Sequence, residues 1–254
     1  MGDRPEAPVV RLSVNVNKVA TLRNSRGGRS PSVLDAVRAC LSAGARGITV
    51  HPRADQRHIT PGDVREIAEL LAAQGDAGLE YNIEGDPRPD WLALVHAIKP
   101  TQATLVPVLP GEVTSQAGWP PDTDEGELRE QVQQLKALGI RVSLFIDPDP
   151  QAVRWASAMG ADRIELFTGP FAEACARDPE AGRAAFAPHL RAAECAAGLA
   201  LGVNAGHDLD LDNLPLYRTL PGLAEVSIGH AIISRAVFVG LETVVGEYLE
   251  VLRG

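Results

Sequence analysis

Eight short runs rich in β-branched and aliphatic residues recur along this chain, each followed by a segment of helical period, and that alternation limits the fold more than any other feature. The runs are Val10–Val16, Gly47–Pro52, Leu79–Ile83, Ala103–Val108, Arg141–Ile146, Arg163–Phe167, Leu201–Asn204 and Glu225–Ile228. They read as near-continuously apolar, as parallel strands covered on both faces should. Amphipathic segments separate them: Pro31–Ala43, Pro61–Ala73, Arg88–Ile98, Glu125–Leu138, Pro150–Met159, Pro179–Ala197, Asp210–Leu220 and Ala231–Leu252. Thr60-Pro61 has the form of an N-cap with proline in the first helical position. Gly44, Gly139, Gly160 and Gly198 stand where a helix commonly ends in a glycine. Eight βα units in 254 residues is the size of a single α/β domain of the (β/α)8 TIM-barrel class, spanning 10–254. A doubly wound open sheet is the structural alternative. Residues 1–9 read as a flexible N-terminal tail.

A parallel barrel builds its site at the C-terminal ends of its strands. Those ends, in order, offer Asn15 and Asn17, His51, Glu80, Thr114, Asp147, Glu165 with Thr168, Asn204 with His207, and Gly229-His230. The stretch Gly47–Thr60 shows the change most abruptly, passing from Ile48-Thr49-Val50 into His51, Arg53, Arg57 and His58. Of six histidines, His51, His58, His207 and His230 fall at or just beyond strand ends. Imidazoles gathered at one rim suit proton transfer near neutral pH, although any one of them is equally well read as a hydrogen-bonded structural residue. No His-x-His and no His-Glu-x-x-His is present, so no metal is expected.

Gly229-His230 joins the last strand directly to a helix, and the seventh unit ends in Asn204-Ala205-Gly206-His207. Glycines before a helix N-terminus let backbone N–H groups approach a phosphate, although ordinary turn glycines are the plainer reading. Arg23, Arg26 and Arg29 in the long connection Asn17–Ser30 offer charge-assisted contacts. A second long connection, Leu109–Asp124, also belongs to this face. The net charge of −9 argues against nucleic acid or an anionic membrane as partner. No apolar run approaches the ~18 residues of a membrane span. Cys40, Cys175 and Cys195, with no Cys-x-x-Cys and no leader, point to a reducing cytoplasm without disulfides.

These same segments resemble the pyridoxine 5′-phosphate synthase family. The resemblance rests on Val14-Asn15-Val16, Ala20 through Gly27, Gly47 through His51, Arg57 through Thr60, Val142 through Asp147, Val203 through His207, and Ile228 through Ile232, in order and with compatible spacing. It implies a TIM barrel with a few extra helices, assembled as a homo-oligomer that is usually an octamer. It implies a ring-forming condensation of 1-deoxy-D-xylulose 5-phosphate with 3-amino-2-oxopropyl phosphate, without metal or organic cofactor. Pyridoxine 5′-phosphate, inorganic phosphate and water are the products. By position, His51 matches the general base, Glu80 a second acid/base, His207 a proton donor, and Glu165 a group that stabilises charged intermediates. Asn15, Arg26, Gly229 and His230 match the pocket for the amino-ketone phosphate, and Arg53, His58 and Thr114 that for the deoxyxylulose phosphate.

Several positions depart from the family pattern. Asn17-Lys18 replaces Asp-His beside the deoxyxylulose phosphate, and Asp208 replaces a glycine near the phosphate region. Pro52-Arg53-Ala54-Asp55 stands for Leu-Arg-Glu-Asp, and Phe167 for a common histidine. Three readings follow. The first is the family reaction with a variant pocket. The second is a related amine–ketone condensation on another keto-substrate, with Lys18, the one lysine at a strand end, able to form an imine. The third is a barrel that binds a phosphorylated metabolite without turnover, which has little use for three proton-transfer groups.

Overall fold

The computed structural model describes residues 10–107 and 115–254. Eight parallel strands close into a barrel in chain order: β1 (Arg11–Asn15), β2 (Gly47–Val50), β3 (Glu80–Gly85), β4 (Gln102–Leu105), β5 (Arg141–Ile146), β6 (Arg163–Phe167), β7 (Gly202–Gly206) and β8 (Leu223–Ile228). Closure is made by β8 against β1, with Arg11 beside Glu225 and Val14 beside Ile228. The fold is therefore the single-domain (β/α)8 barrel, and the open sheet is set aside. The expected tail, residues 1–9, lies outside the described residues.

The strands alternate in character, which corrects the expectation of near-continuous apolarity. Leu12, Val14, Ile48, Val50, Ile83, Leu105, Leu144, Leu166, Val203 and Val226 point outward and are buried under the helices. The inward positions, every second residue, are polar except toward the C-terminal mouth, where Phe145 and Phe167 form a small separate apolar cluster with Val106. Ser13 and Thr49 share a hydrogen bond of 2.7 Å, Thr104 donates to Asn82 at 2.9 Å, and Arg163 donates to Asn204 at 3.1 Å. The barrel axis is thus a hydrogen-bonded polar belt, and the apolar core is the ring between strands and helices. Pairing of most of its groups with one another sustains this buried polar interior, while Ser143 Oγ and Glu165 Oε2 find no partner among the described residues.

The helices begin where the sequence signals a start. Thr60 caps α3 (Pro61–Ala73) in a reciprocal box with Asp63, and Ser32 caps α2 (Val33–Ser42). α4 (Pro89–Ile98), α5 (Glu125–Ala137) and α6 (Pro150–Ala158) follow as expected. Gly44, Gly139 and Gly160 take positive φ after their helices, whereas after α8 (Pro179–Gly198) that conformation falls to Ala200. Four departures concern the connections. Asn17–Asn24 is a helix, α1, where a loop was expected; it contains neither Gly nor Pro and buries Val19 and Ala20. α7 (Gly169–Arg177) is an additional helix ahead of α8. Asp210–Leu220 yields only α9 (Leu214–Tyr217). Ala231–Leu252 is two helices, α10 (His230–Val239) and α11 (Leu241–Arg253), broken at Gly240 with φ 89°. Among the described residues no helix is long and apolar enough to cross a membrane.

Candidate active site

A cavity of about 450 Å³ opens at the C-terminal end of the barrel. Asn15 at the end of β1, Asn17 and Lys18 opening α1, and His51, Arg53 and His58 after β2 line one side. Glu165 from β6, His207 and Asp208 after β7, and Gly229-His230 between β8 and α10 line the other. The chain spreads these residues over more than 200 positions, and strand order brings them to one rim. Close packing of backbones makes room: a Cβ on Gly229 would lie 2.9 Å from the Asn15 carbonyl oxygen.

Two predicted positions stand elsewhere. Arg26 lies in the exposed turn after α1 and does not line the cavity. Thr114 lies outside the described residues. Glu80 is the first residue of β3, at the opposite, N-terminal mouth of the barrel, where it pairs with Arg11 and, at 3.0 Å, with Arg141. The acid that reaches the cavity from β3 is Glu84. The expected strand stopped at Ile83; the real one runs on to Gly85. Glu80, Asn82 and Glu84 share strand parity and so face inward together, with Glu84 roughly 13 Å farther along the strand. Alternation was the signal that would have found it.

Among the titratable groups of the cavity, His51, His58 and Glu165 are buried. His51 is buried, and its Nδ1 lies 3.8 Å from Glu84 Oε2. Burial first, then the charges of His58, Arg53 and Arg88, drive its pKa down to about 3 against an opposing pull from Asp55, so the ring is neutral near pH 7. His51 Nε2 has no hydrogen-bond partner among the described residues. Burial and the neighbouring Glu225 push Glu84 up to about 8, with the Ser227 hydroxyl pulling the other way. Glu165 is pushed up strongly by burial and by Glu84, and its Oε2 also lacks a partner. Like charges close together in a buried site oppose each other's ionisation, so both carboxyls are shifted toward the protonated form. His207 is lowered by burial and by Lys18, while Asp208 raises it. Its ring packs edge-on against Phe167 at 5.4 Å, and both His207 (φ 64°) and Asp208 (φ 57°) hold left-handed backbone. The Thr168 hydroxyl and the Asn213 amide bind their carbonyls and stabilise that turn.

The polar contacts of Asn17 explain how this chain tolerates an amide there. Its Oδ1 accepts the His51 backbone N–H at 2.9 Å, a task that needs an oxygen but no charge. Lys18 is exposed at the cavity lip, and its ammonium acts on both His58 and His207. Arg23, taken from the sequence as a phosphate contact, is instead engaged with Asp63.

The sequence model of the family described as "Pyridoxal phosphate biosynthesis protein PdxJ" matches residues 12–254. A pyridoxine 5′-phosphate synthase of Bacteroides fragilis is 48% identical over 246 residues, covering 96% of this chain and 100% of its own. One from Leptospira biflexa is 50% identical over 253 residues, covering 96% and 97%. Solved structures share the barrel at low identity. Thiamine phosphate pyrophosphorylase of Pyrococcus furiosus superposes with TM-score 0.60 at 12% identity, over 96% of this chain and 95% of its own. Phosphoribosylanthranilate isomerase of Thermotoga maritima gives 0.58 at 13%, over 96% and 99%. These two likenesses concern the fold alone.

Proposed function

The chain belongs to the PdxJ family of pyridoxal phosphate biosynthesis proteins, and from that premise we propose that it condenses 3-amino-2-oxopropyl phosphate with 1-deoxy-D-xylulose 5-phosphate to pyridoxine 5′-phosphate, phosphate and water. The observation that carries the residue roles is the facing pair of His51 and Glu84 at 3.8 Å inside the cavity, with the imidazole pushed toward its basic form and the carboxyl toward its acidic one. Forming a ring from an amine and two ketones requires protons to be taken and given several times, and a neutral base beside a protonated acid serves both directions. His51 is the general base, with Nε2, which has no hydrogen-bond partner among the described residues, taking the proton. Glu84 takes the second acid/base role that the sequence assigned to Glu80. Glu165 meets cationic intermediates, becoming more acidic as positive charge develops beside it. His207 donates a proton from the opposite wall.

Two phosphates need two cradles. Gly229 and His230 line the cavity at the start of α10, and with Asn15 they form the seat for the amino-ketone phosphate. Arg53, His58 and Lys18 form the seat for the deoxyxylulose phosphate. Lys18 works there as a steering charge, a role suited to its exposed place at the lip. The exposed Val237, Phe238 and Val239 at the end of α10, with Phe238 87% exposed, support burial against a second copy in a homo-oligomer. The three free cysteines support a reducing, cytoplasmic setting.

Incubation with both phosphates tests the reading directly. Release of inorganic phosphate together with a pyridine absorbance is expected. Binding of the amino-ketone phosphate with neither product formed would overturn it.

A further inference from the structure

α1 is a strut between the two imidazoles that line the cavity from β2. At its first residue, Asn17 accepts the His51 backbone N–H. At its last turn, Arg23 and Asn24 reach the segment that carries His58. Arg23 grips the Asp63 carboxylate with both terminal nitrogens, Nη2 to Oδ2 at 2.9 Å, and the pair is largely buried. The same guanidinium donates from Nε to Asn24 Oδ1 at 2.9 Å. That contact fixes which way the Asn24 amide faces, leaving Nδ2 to donate to the His58 carbonyl at 2.8 Å. Arg23 Nη2 approaches the same carbonyl at 3.4 Å. Asp63 in turn accepts the Thr60 backbone N–H at 2.8 Å as part of the α3 cap. One guanidinium therefore holds the His58-Ile59-Thr60 segment from both ends.

The consequence for His58 is chemical. Its Nδ1 accepts the Ile59 N–H at 2.9 Å, so the hydrogen-bond network places the ring proton of the neutral form on Nε2. His58 lines the cavity, so it offers a donor there and not an acceptor. A donor is what a phosphate oxygen needs, and its direction depends on the backbone that Arg23 and Asn24 secure.

We propose that Arg23, which does not itself line the cavity, is a positioning residue for the deoxyxylulose-phosphate seat, acting through Asp63 and Asn24 on His58. The inference rests on the reading that His58 belongs to that seat. Bidentate geometry is essential to it, since a lysine can neutralise Asp63 but cannot also orient Asn24.

The test compares Arg23→Lys, Asn24→Ala and His58→Gln with the unaltered enzyme, measuring both Michaelis constants, kcat and thermal melting. Arg23→Lys keeps the charge that closes α1 on α3, and Asn24→Ala leaves the Arg23–Asp63 pair intact, so neither depends on surviving loss of the ion pair. A roughly tenfold rise in KM for the deoxyxylulose phosphate in Arg23→Lys, and a smaller rise in Asn24→Ala, is expected. KM for the amino-ketone phosphate should stay within about twofold, because Asn15, Gly229 and His230 are untouched. If Arg23→Lys and Asn24→Ala change only the melting temperature, or raise both constants equally, Arg23 merely ties two helices and the inference falls while the His58 reading stands. If His58→Gln itself leaves the deoxyxylulose constant unchanged, the seat is misassigned, and the inference falls with it.

Discussion

The two mouths of the barrel carry similar residues and do opposite things with them. At the N-terminal mouth Glu80 is set among Arg11, Arg141 and Arg163 and hydrogen-bonded to Glu225. Burial alone would raise Glu80, but the bond with Glu225 and the three guanidiniums hold it below the usual carboxylate range. Glu225, raised to about 8 by burial and by Glu80, keeps the proton of that pair. At the C-terminal mouth Glu84 and Glu165 are in no ion pair with a guanidinium among the described residues, and burial pushes both upward, Glu84 to about 8. The difference is one of supply. Where guanidiniums match carboxylates the charges compensate one another. Where they are withheld, buried acids and bases keep unspent capacity, which is the condition for proton transfer.

Replacing His51 by Ala is the largest blow to the contrast. Loss of a positioned base should lower kcat by about 10²- to 10⁴-fold, with the melting temperature little changed. A crossover between Glu84 and Glu80 comes next. Glu84→Gln should cut turnover by about 10²-fold or more while the fold holds, since the amide fills the same space without a proton to exchange. Glu80→Gln should cost about 2 kcal/mol in urea unfolding, discounted from a fully buried pair because Arg11 is half exposed, with turnover largely kept. If Glu80→Gln abolishes turnover and Glu84→Gln does not, the assignment of the two mouths is reversed.

Stability against pH sharpens the same contrast. Glu84 is raised in the folded state to about 8, so its contribution is full below the ordinary carboxyl range and is lost as pH rises through about 8. Glu225 acts in the same direction, and Glu84→Gln should flatten only part of the slope. His51 has the opposite sign. Its pKa is lowered to about 3, so its contribution is present above the ordinary histidine value near 6.5 and is lost as pH falls toward 3. Urea midpoints from pH 4 to 9 for the unaltered protein, Glu84→Gln and His51→Gln would show both limbs or refute them. The smallest effect concerns Gly229. An added Cβ would sit 2.9 Å from the Asn15 carbonyl, so Gly229→Ala should raise KM for the amino-ketone phosphate severalfold with kcat nearly unchanged. An unchanged KM would remove Gly229 from that seat.

Much of the site was legible in the chain because a barrel converts order in sequence into position on a rim. His51, His207 and Gly229-His230 follow strands β2, β7 and β8 directly, Glu165 lies within β6, and all line the cavity. Glu80 misled because a run of apolar residues shows that a strand exists better than it shows where the strand stops. Arg26 and Arg23 were indistinguishable as charges in one connection; only folding shows one solvated and the other clamped to Asp63. α1 was hidden because its weak amphipathy depends on the barrel wall it covers.

The sequence alone settled the βα period, hence the parallel barrel and the face on which chemistry would lie, since strand and helix periodicity are local properties of hydrophobic spacing. It also settled the family. Which acid faces the cavity and which arginine is clamped in an ion pair were decided only by tertiary structure. Those depend on burial and on partners brought together from distant strands, and in water the same groups would titrate alike at either mouth.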